Sequence, residues 1–179
     1  RVVVLERDEP GRGTSWVAAG MLAPVTEVTL VERQVLKLGL AAAQRYPSFV
    51  EELRQAAGVD PGYSPCGTLL LARDGDEAQA LERELELRRQ LGLDVERLRP
   101  SQARRLEPAL APTLRLALEV RGDHAIDPRR LTEALARAVS SAGGELRRDA
   151  LVAGVEGASQ GAVTGVRLAS GEMVAAEQV

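Results

Sequence analysis

"VVVLERDEPGRGTSWVAAGMLAP", residues Val2 to Pro24, holds the features on which the fold turns. It begins with a β-branched apolar run, Val2 to Leu5, that ends in an acid, Glu6. A short run of this kind bounded by turn residues reads as a strand buried on both faces, as in a parallel sheet. "RDEPGRG" (Arg7–Gly13) follows as a turn-rich loop, and Thr14 or Ser15 stands where a helix cap belongs. Ala18, Ala19 and Gly20 then precede Met21. Small residues let a ligand approach the backbone closely, and a flat ring suits a thioether. The competing reading makes the three small residues helix packing and Met21 a core filler.

Outward from this stretch, apolar residues recur at helical spacing from Val28 to Ala57, through Val31, Val35, Leu38, Ala42, Phe49, Val50 and Leu53. Pro47 is expected to divide that run into two helices. "GVDPGYSPCG" (Gly58–Gly67) is a loop by composition, and "TLLLA" (Thr68–Ala72) a strand. Asp76–Leu91 reads as a charged helix, and the run Arg73–Gln90 around it as solvated with internal ion pairs. A short helix lies within Arg99–Leu110, and a strand at Leu114–Val120. Pro128 opens a helix that runs to Ala142, where "GG" ends it. Glu145–Ser159 and Ala162–Val179 read as strands with tight turns, one of them at Ser170–Gly171. The order of elements is that of an α/β fold with an inserted subdomain.

Composition excludes several classes. The net charge is -3, so there is no basic footprint for nucleic acid. One cysteine, Cys66, and one histidine, His124, rule out a disulfide framework and a Cys- or His-based metal cluster. Cys66 is expected to be a partly buried small residue, His124 a loop histidine, and Asp123 and Asp127 turn and cap residues. No apolar run reaches the roughly 18 residues of a membrane span, and the default setting is cytoplasmic. The chain opens inside a strand-like run and stops at "AAEQV", which reads as an internal fragment.

Glu6 occupies the position at which nucleotide-binding α/β folds place an acid that accepts ribose hydroxyls. The glycine fingerprint expected roughly 20 residues before it is not among these residues. "GRG" (Gly11–Gly13) follows the acid and lacks the third glycine. On the residues alone, a non-catalytic nucleotide-binding or interaction module remains open, with Glu6 bound to a ribose or to solvent.

In order along the chain, "VVVLERDEPGRGTSWVAAGMLAP", "CGTLLLA" and "DHAIDPRRLTEALARAVSSAGGEL" leading to "LVAGVEG" resemble the glycine oxidase family, within the D-amino-acid oxidase superfamily of FAD enzymes. The resemblance covers essentially the whole chain. It implies a partial, discontinuous FAD-binding Rossmann-like domain at residues 1–58 and 124–179, with a partial inserted α+β substrate domain at 59–123. It further implies Glu6 on the adenosine ribose and Arg7 near the adenine. Thr14 and Ser15 would contact the cofactor through backbone and hydroxyl groups. Ala19, Gly20 and Met21 would lay backbone against the isoalloxazine, and Val152 would offer backbone to the adenine. Ser15 and Trp16 depart from the small or polar residues common there.

The implied activity is oxidation of glycine or a similar small amine to an imine, with oxygen reduced to hydrogen peroxide, in thiazole synthesis for thiamine. Sarcosine oxidase-like and D-amino-acid dehydrogenase-like activities stay open. No catalytic residue and no metal ligand is assigned, because the substrate-binding arginine and aromatics of the family lie beyond Val179. The fragment alone is expected to be inactive. The implied partners are a small amino acid or amine and oxygen, with homo-oligomerisation and with neither nucleic acid nor membrane.

Overall fold

A computed structural model describes residues 1–27, 33–157 and 162–179. The elements of the first half are β1 (Val3–Leu5), α1 (Thr14–Val17), β2 (Met21–Leu22), α2 (Arg33–Ala57), β3 (Tyr63–Ser64), β4 (Thr68–Ala72) and α3 (Gly75–Gln90). Then come β5 (Glu96–Leu98), α4 (Pro100–Leu106), β6 (Leu116–Val120), β7 (His124–Ile126), α5 (Pro128–Ser141), β8 (Glu145–Arg147), β9 (Val152–Gly157), β10 (Val163–Leu168) and β11 (Met173–Ala175). They form two compact units, one of residues 1–18, 52–61 and 128–179, the other of 19–51 and 62–127.

In the first unit β1 pairs in parallel with β8, Val3 opposite Glu145 and Leu5 opposite Arg147. A parallel pair needs a long crossover, and α5 supplies its last part. That helix ends as its sequence requires: Gly143 takes φ +78, and the Gly143 and Gly144 amides return to the Ser140 and Val139 carbonyls. β9, β10 and β11 form an antiparallel meander, whose Val166 and Leu168 pack with Ala150 and Leu5. The expectation that β1 is buried on both faces is corrected. Among the described residues its only ladder partner is β8, and Val4 is 40% exposed. Thr14 and Ser15 do not cap α1. They are its first helical residues, with Gly13 at the cap and no side-chain cap bond.

In the second unit β4 and β5 flank β6 in an antiparallel sheet, and α3 covers it. Leu81 and Leu85 of α3 pack with Ala72, Leu116, Leu118 and Val120. Each fully buried Leu or Val contributes about 1.5–3 kcal/mol. Ion pairs at i,i+4 tie the helix, Arg73–Glu77 at its start and Arg88–Glu84 within it. A smaller sheet, β2–β7–β3, is built from strands of two or three residues.

Pro47 does not divide α2, which runs unbroken from Arg33 to Ala57. Proline removes a single backbone donor, whereas the helix buries Leu36 before it and Val50 and Leu53 after it. Burying three such side chains outweighs one lost hydrogen bond. The start of the expected helical run, residues 28–32 with Val31, lies outside the described residues, as do residues 158–161 at the end of the expected Glu145–Ser159 segment.

Candidate functional site

Five of the eight expected cofactor residues fall in the first unit. The Glu6 amide donates to the Arg147 carbonyl at 2.9 Å, and its own carbonyl accepts from the Ala150 amide at 2.9 Å, which fixes the backbone at the strand end. Its Oε1 accepts from the Asp8 amide at 3.0 Å. The second carboxylate oxygen has no partner among the described residues, and the side chain is half-buried. Arg7 beside it is exposed, with Nε on Asp8 at 3.1 Å. Thr14 and Ser15 are exposed in α1, and Val152 opens β9 with 40% exposure.

The helix carrying Thr14 and Ser15 is held by Trp16. The guanidinium carbons of Arg12 and Arg129 lie 3.9 and 4.6 Å from its ring centroid, and Arg129 Nε donates to the Trp16 carbonyl at 3.0 Å. Each cation–π contact is worth about 0.5–1 kcal/mol at an exposed position. Gly11 lets the preceding loop approach α5: a Cβ there would fall 2.5 Å from Thr132 Cγ2.

Ala19, Gly20 and Met21 belong to the second unit. Gly20 sits at φ +75, a left-handed conformation that L side chains rarely adopt, and its carbonyl accepts from the Ile126 amide at 2.8 Å. Met21 then pairs with Ala125 and Leu22 with His124. Ala19 is exposed and Met21 is 51% exposed, so the core-filling alternative for Met21 is overturned. The strand is so short that one of its flanking side chains stays at the surface.

The turn after Leu22 is gripped from two directions. Asp123 has no solvent exposure, and its carboxylate accepts from the Val25 amide at 3.1 Å and the Thr26 amide at 2.8 Å. Arg88, 3% exposed, donates from Nε to the Val25 carbonyl at 3.1 Å and from Nη2 to the Thr26 carbonyl at 2.8 Å. Buried charges are tolerated when hydrogen-bonded in this manner. Asp123 is thus a turn residue, as expected, but it caps a distant turn. Arg88 departs from the expected solvated face of its helix.

Beside this turn lies a cavity of about 390 Å³, lined by Leu22, Ala23, Pro24, Leu36, Gly39 and Tyr46 among others, with Glu27 as its single carboxylate among the described residues. Sequence reasoning missed this cavity, Glu27 and Tyr46. The available signal was the scarcity of aromatic residues, since three of the four gather here with the sole histidine. Tyr46 stacks on Tyr63 at 5.8 Å and 28°, and Phe49 meets Tyr46 edge-on at 5.6 Å and 71°. Tyr63 Oη and His124 Nδ1 share a hydrogen bond. Burial holds both phenols above their ordinary pKa of 10.0, and for Tyr46 the neighbouring Tyr63 adds to the shift.

His124 therefore lies in a strand, not a loop. Cys66 is exposed, which corrects its expected partial burial: Gly67 beside it, at φ +71, turns the chain at the surface end of β4. Among the described residues no group of three or more His, Cys, Asp or Glu could hold a metal ion, and no helix is long and apolar enough to cross a membrane.

The family described as "FAD dependent oxidoreductase" matches residues 1–179. Glycine oxidase of Geobacillus kaustophilus is 35% identical over 144 residues, covering 80% of this chain and 38% of that protein. The crystal structure of a glycine oxidase from that organism superposes with a TM-score of 0.89 at 33% identity, covering 99% of this chain and 47% of that one. The bifunctional protein ThiO/ThiG of Synechocystis is 45% identical over 69 residues, 38% of this chain and 10% of that protein. The chain spans less than half the length of these relatives. The partial Rossmann-like and α+β fold expected from the sequence is the fold of these glycine oxidases.

Proposed function

The chain belongs to the family of FAD-dependent oxidoreductases, and from that premise we propose that its protein oxidises glycine or a similar small primary or secondary amine to an imine, with oxygen as the final acceptor and hydrogen peroxide as the second product, in the thiazole branch of thiamine synthesis. The observation that carries this reading is the cavity that follows Met21, whose described lining is mostly apolar and includes the Glu27 carboxylate. A carboxylate at the edge of an apolar site attracts an ammonium group and gives it one orientation. The similarity to glycine oxidase over 80% of the chain supports the same substrate class.

The donor set fits the cofactor. Glu6, rigid at a strand end and with one carboxylate oxygen still available, accepts ribose hydroxyls. Arg7 lies beside the adenine end, and Val152 offers backbone to the adenine. Thr14 and Ser15 contribute hydroxyls and amides from a helix held by Trp16. Ala19, Gly20 and Met21 present backbone to the flat ring without side-chain obstruction. FAD, when bound, would supply the acceptor for the hydride of the amine's α-carbon, which leaves after the ammonium group has given up its proton to solvent. The protein's part is binding, orientation and exclusion of water, and no side chain of this chain is assigned as a base. In this reading residues 1–58 and 124–179 serve the cofactor and 59–123 the substrate domain.

The test is peroxide release by the full-length, FAD-loaded protein on addition of glycine or sarcosine. Absence of turnover with any small amine overturns the proposal. Glu6→Gln is expected to weaken FAD binding about tenfold, the loss of roughly one charge-assisted hydrogen bond. Unchanged affinity removes Glu6 from the site.

A further inference from the structure

Tyr46, the one aromatic residue among the described lining of the cavity, is backed by side chains that do not line it. We propose that Tyr46 is the wall against which the substrate's ammonium group rests, and that the Tyr63–His124 hydrogen bond is the positioning device that fixes this wall. The inference rests on the amine reading of the cavity given above.

Tyr46 lines the cavity from α2, and its ring is stacked on Tyr63 and met edge-on by Phe49. A tyrosine in a helix otherwise exchanges between two side-chain rotamers. Ring contacts of this offset and edge-on kind, each worth about 0.5–1.5 kcal/mol, select one. Tyr63 is itself pinned. It lies opposite Ile126 in the β3–β7 ladder, so His124, two residues along β7, is its diagonal neighbour on the same face. The Tyr63 Oη–His124 Nδ1 bond closes that diagonal. His124 is paired in turn with Leu22, which also lines the cavity. The strand that carries the cavity's edge and the ring that forms its wall are thus fixed by the same residue.

The chemistry follows from two features of the described lining, the Tyr46 ring and the Glu27 carboxylate. An aromatic face attracts an ammonium group, and the Glu27 carboxylate neutralises it. Tyr46 acts through its ring: a phenol is neutral across the physiological range, and burial moves its pKa further above that range.

The experiment uses the full-length, FAD-loaded protein and steady-state kinetics with glycine. Tyr46→Leu should raise KM about tenfold with kcat within about twofold, and Tyr46→Phe, which keeps the ring, should recover most of that loss. Tyr63→Phe and His124→Leu should each raise KM about threefold, and the double variant no further, since one hydrogen bond is lost in all three. An unchanged KM in Tyr46→Leu, or independent additive effects of the pair, overturns the inference. So does loss of bound flavin absorbance in Tyr63→Phe, which would make the pair a folding element. If the unsubstituted protein turns over no amine, the proposed function fails separately, and calorimetric binding of glycine decides this inference. About tenfold weaker binding to Tyr46→Leu supports it; equal binding, or none to either protein, overturns it.

Discussion

Asp123 does for the second unit what a helix cap does locally, but across the chain. Its carboxylate satisfies two amides, Val25 and Thr26, in a turn whose carbonyls are held by Arg88. Asp123→Ala strands one buried and one partly buried donor, and an orphaned buried donor costs about 1–3 kcal/mol. The expected result is a lower midpoint of urea unfolding with an unchanged m-value, and a smaller drop for Asp123→Asn, which keeps one acceptor oxygen. An unaltered midpoint in Asp123→Ala refutes the role. The tyrosines give a second residue-scale expectation. Both phenols are held above 10.0 by burial, so the folded state retains their protons longer than the unfolded chain. Their contribution to stability is therefore complete below about pH 10 and is lost as pH rises through the raised values. Phenolate absorbance should appear later in the folded than in the unfolded protein. In Tyr63→Phe the Tyr46 shift should shrink, because the Tyr63 charge is one of its causes. Little of this was legible in "GDHAIDP". That motif announces a turn and a helix start, but Asp123's partners lie 98 and 97 positions away, beyond any local periodicity.

At the scale of elements, α2 and the turn after β2 make close backbone contact at Gly39. A Cβ added there would lie 2.9 Å from Pro24 Cβ, part of a rigid ring. Glycine to alanine inside a helix ordinarily gains about 1 kcal/mol. Overpacking costs about 1–3 kcal/mol, so Gly39→Ala is expected to destabilise by about 1 kcal/mol net. It should also narrow the cavity, whose lining includes both residues. A raised unfolding midpoint would show that the turn can retreat freely. The elements read correctly from sequence were β1, β4, α3, α4, β6, α5 and the β9–β10–β11 meander, most of them long enough to express a period or marked by turn residues at their ends. β2, β3 and β7 have two or three residues each and no period to read. They exist because β7 offers both edges to neighbours brought in from elsewhere in the chain. The expected division of α2 at Pro47 failed for the complementary reason, since burial along the helix overrode a local preference.

For the whole molecule, the question is how much of a flavin site these 179 residues carry. They carry Glu6, proposed above as the ribose acid, whose signal was a strand ending in an acid, and the Ala19–Met21 segment, proposed to face the flavin, whose signal was a run of small residues. They contain no G-x-G-x-x-G, the motif through which a Rossmann-type site holds the pyrophosphate. In such sites the phosphate contacts come from helix N-terminal amides and contribute much of the dinucleotide's affinity. The ribose and ring contacts alone should leave binding weak. The 179-residue chain mixed with FAD is therefore expected to show no stoichiometric complex after gel filtration, with flavin fluorescence close to that of the free cofactor. The full-length protein should keep its visible absorbance through the same column. Tight one-to-one binding by the 179-residue chain would mean that Glu6, the α1 contacts and the Gly20–Met21 backbone suffice without a phosphate cradle. The Glu6→Gln variant of that chain would then identify the residue responsible.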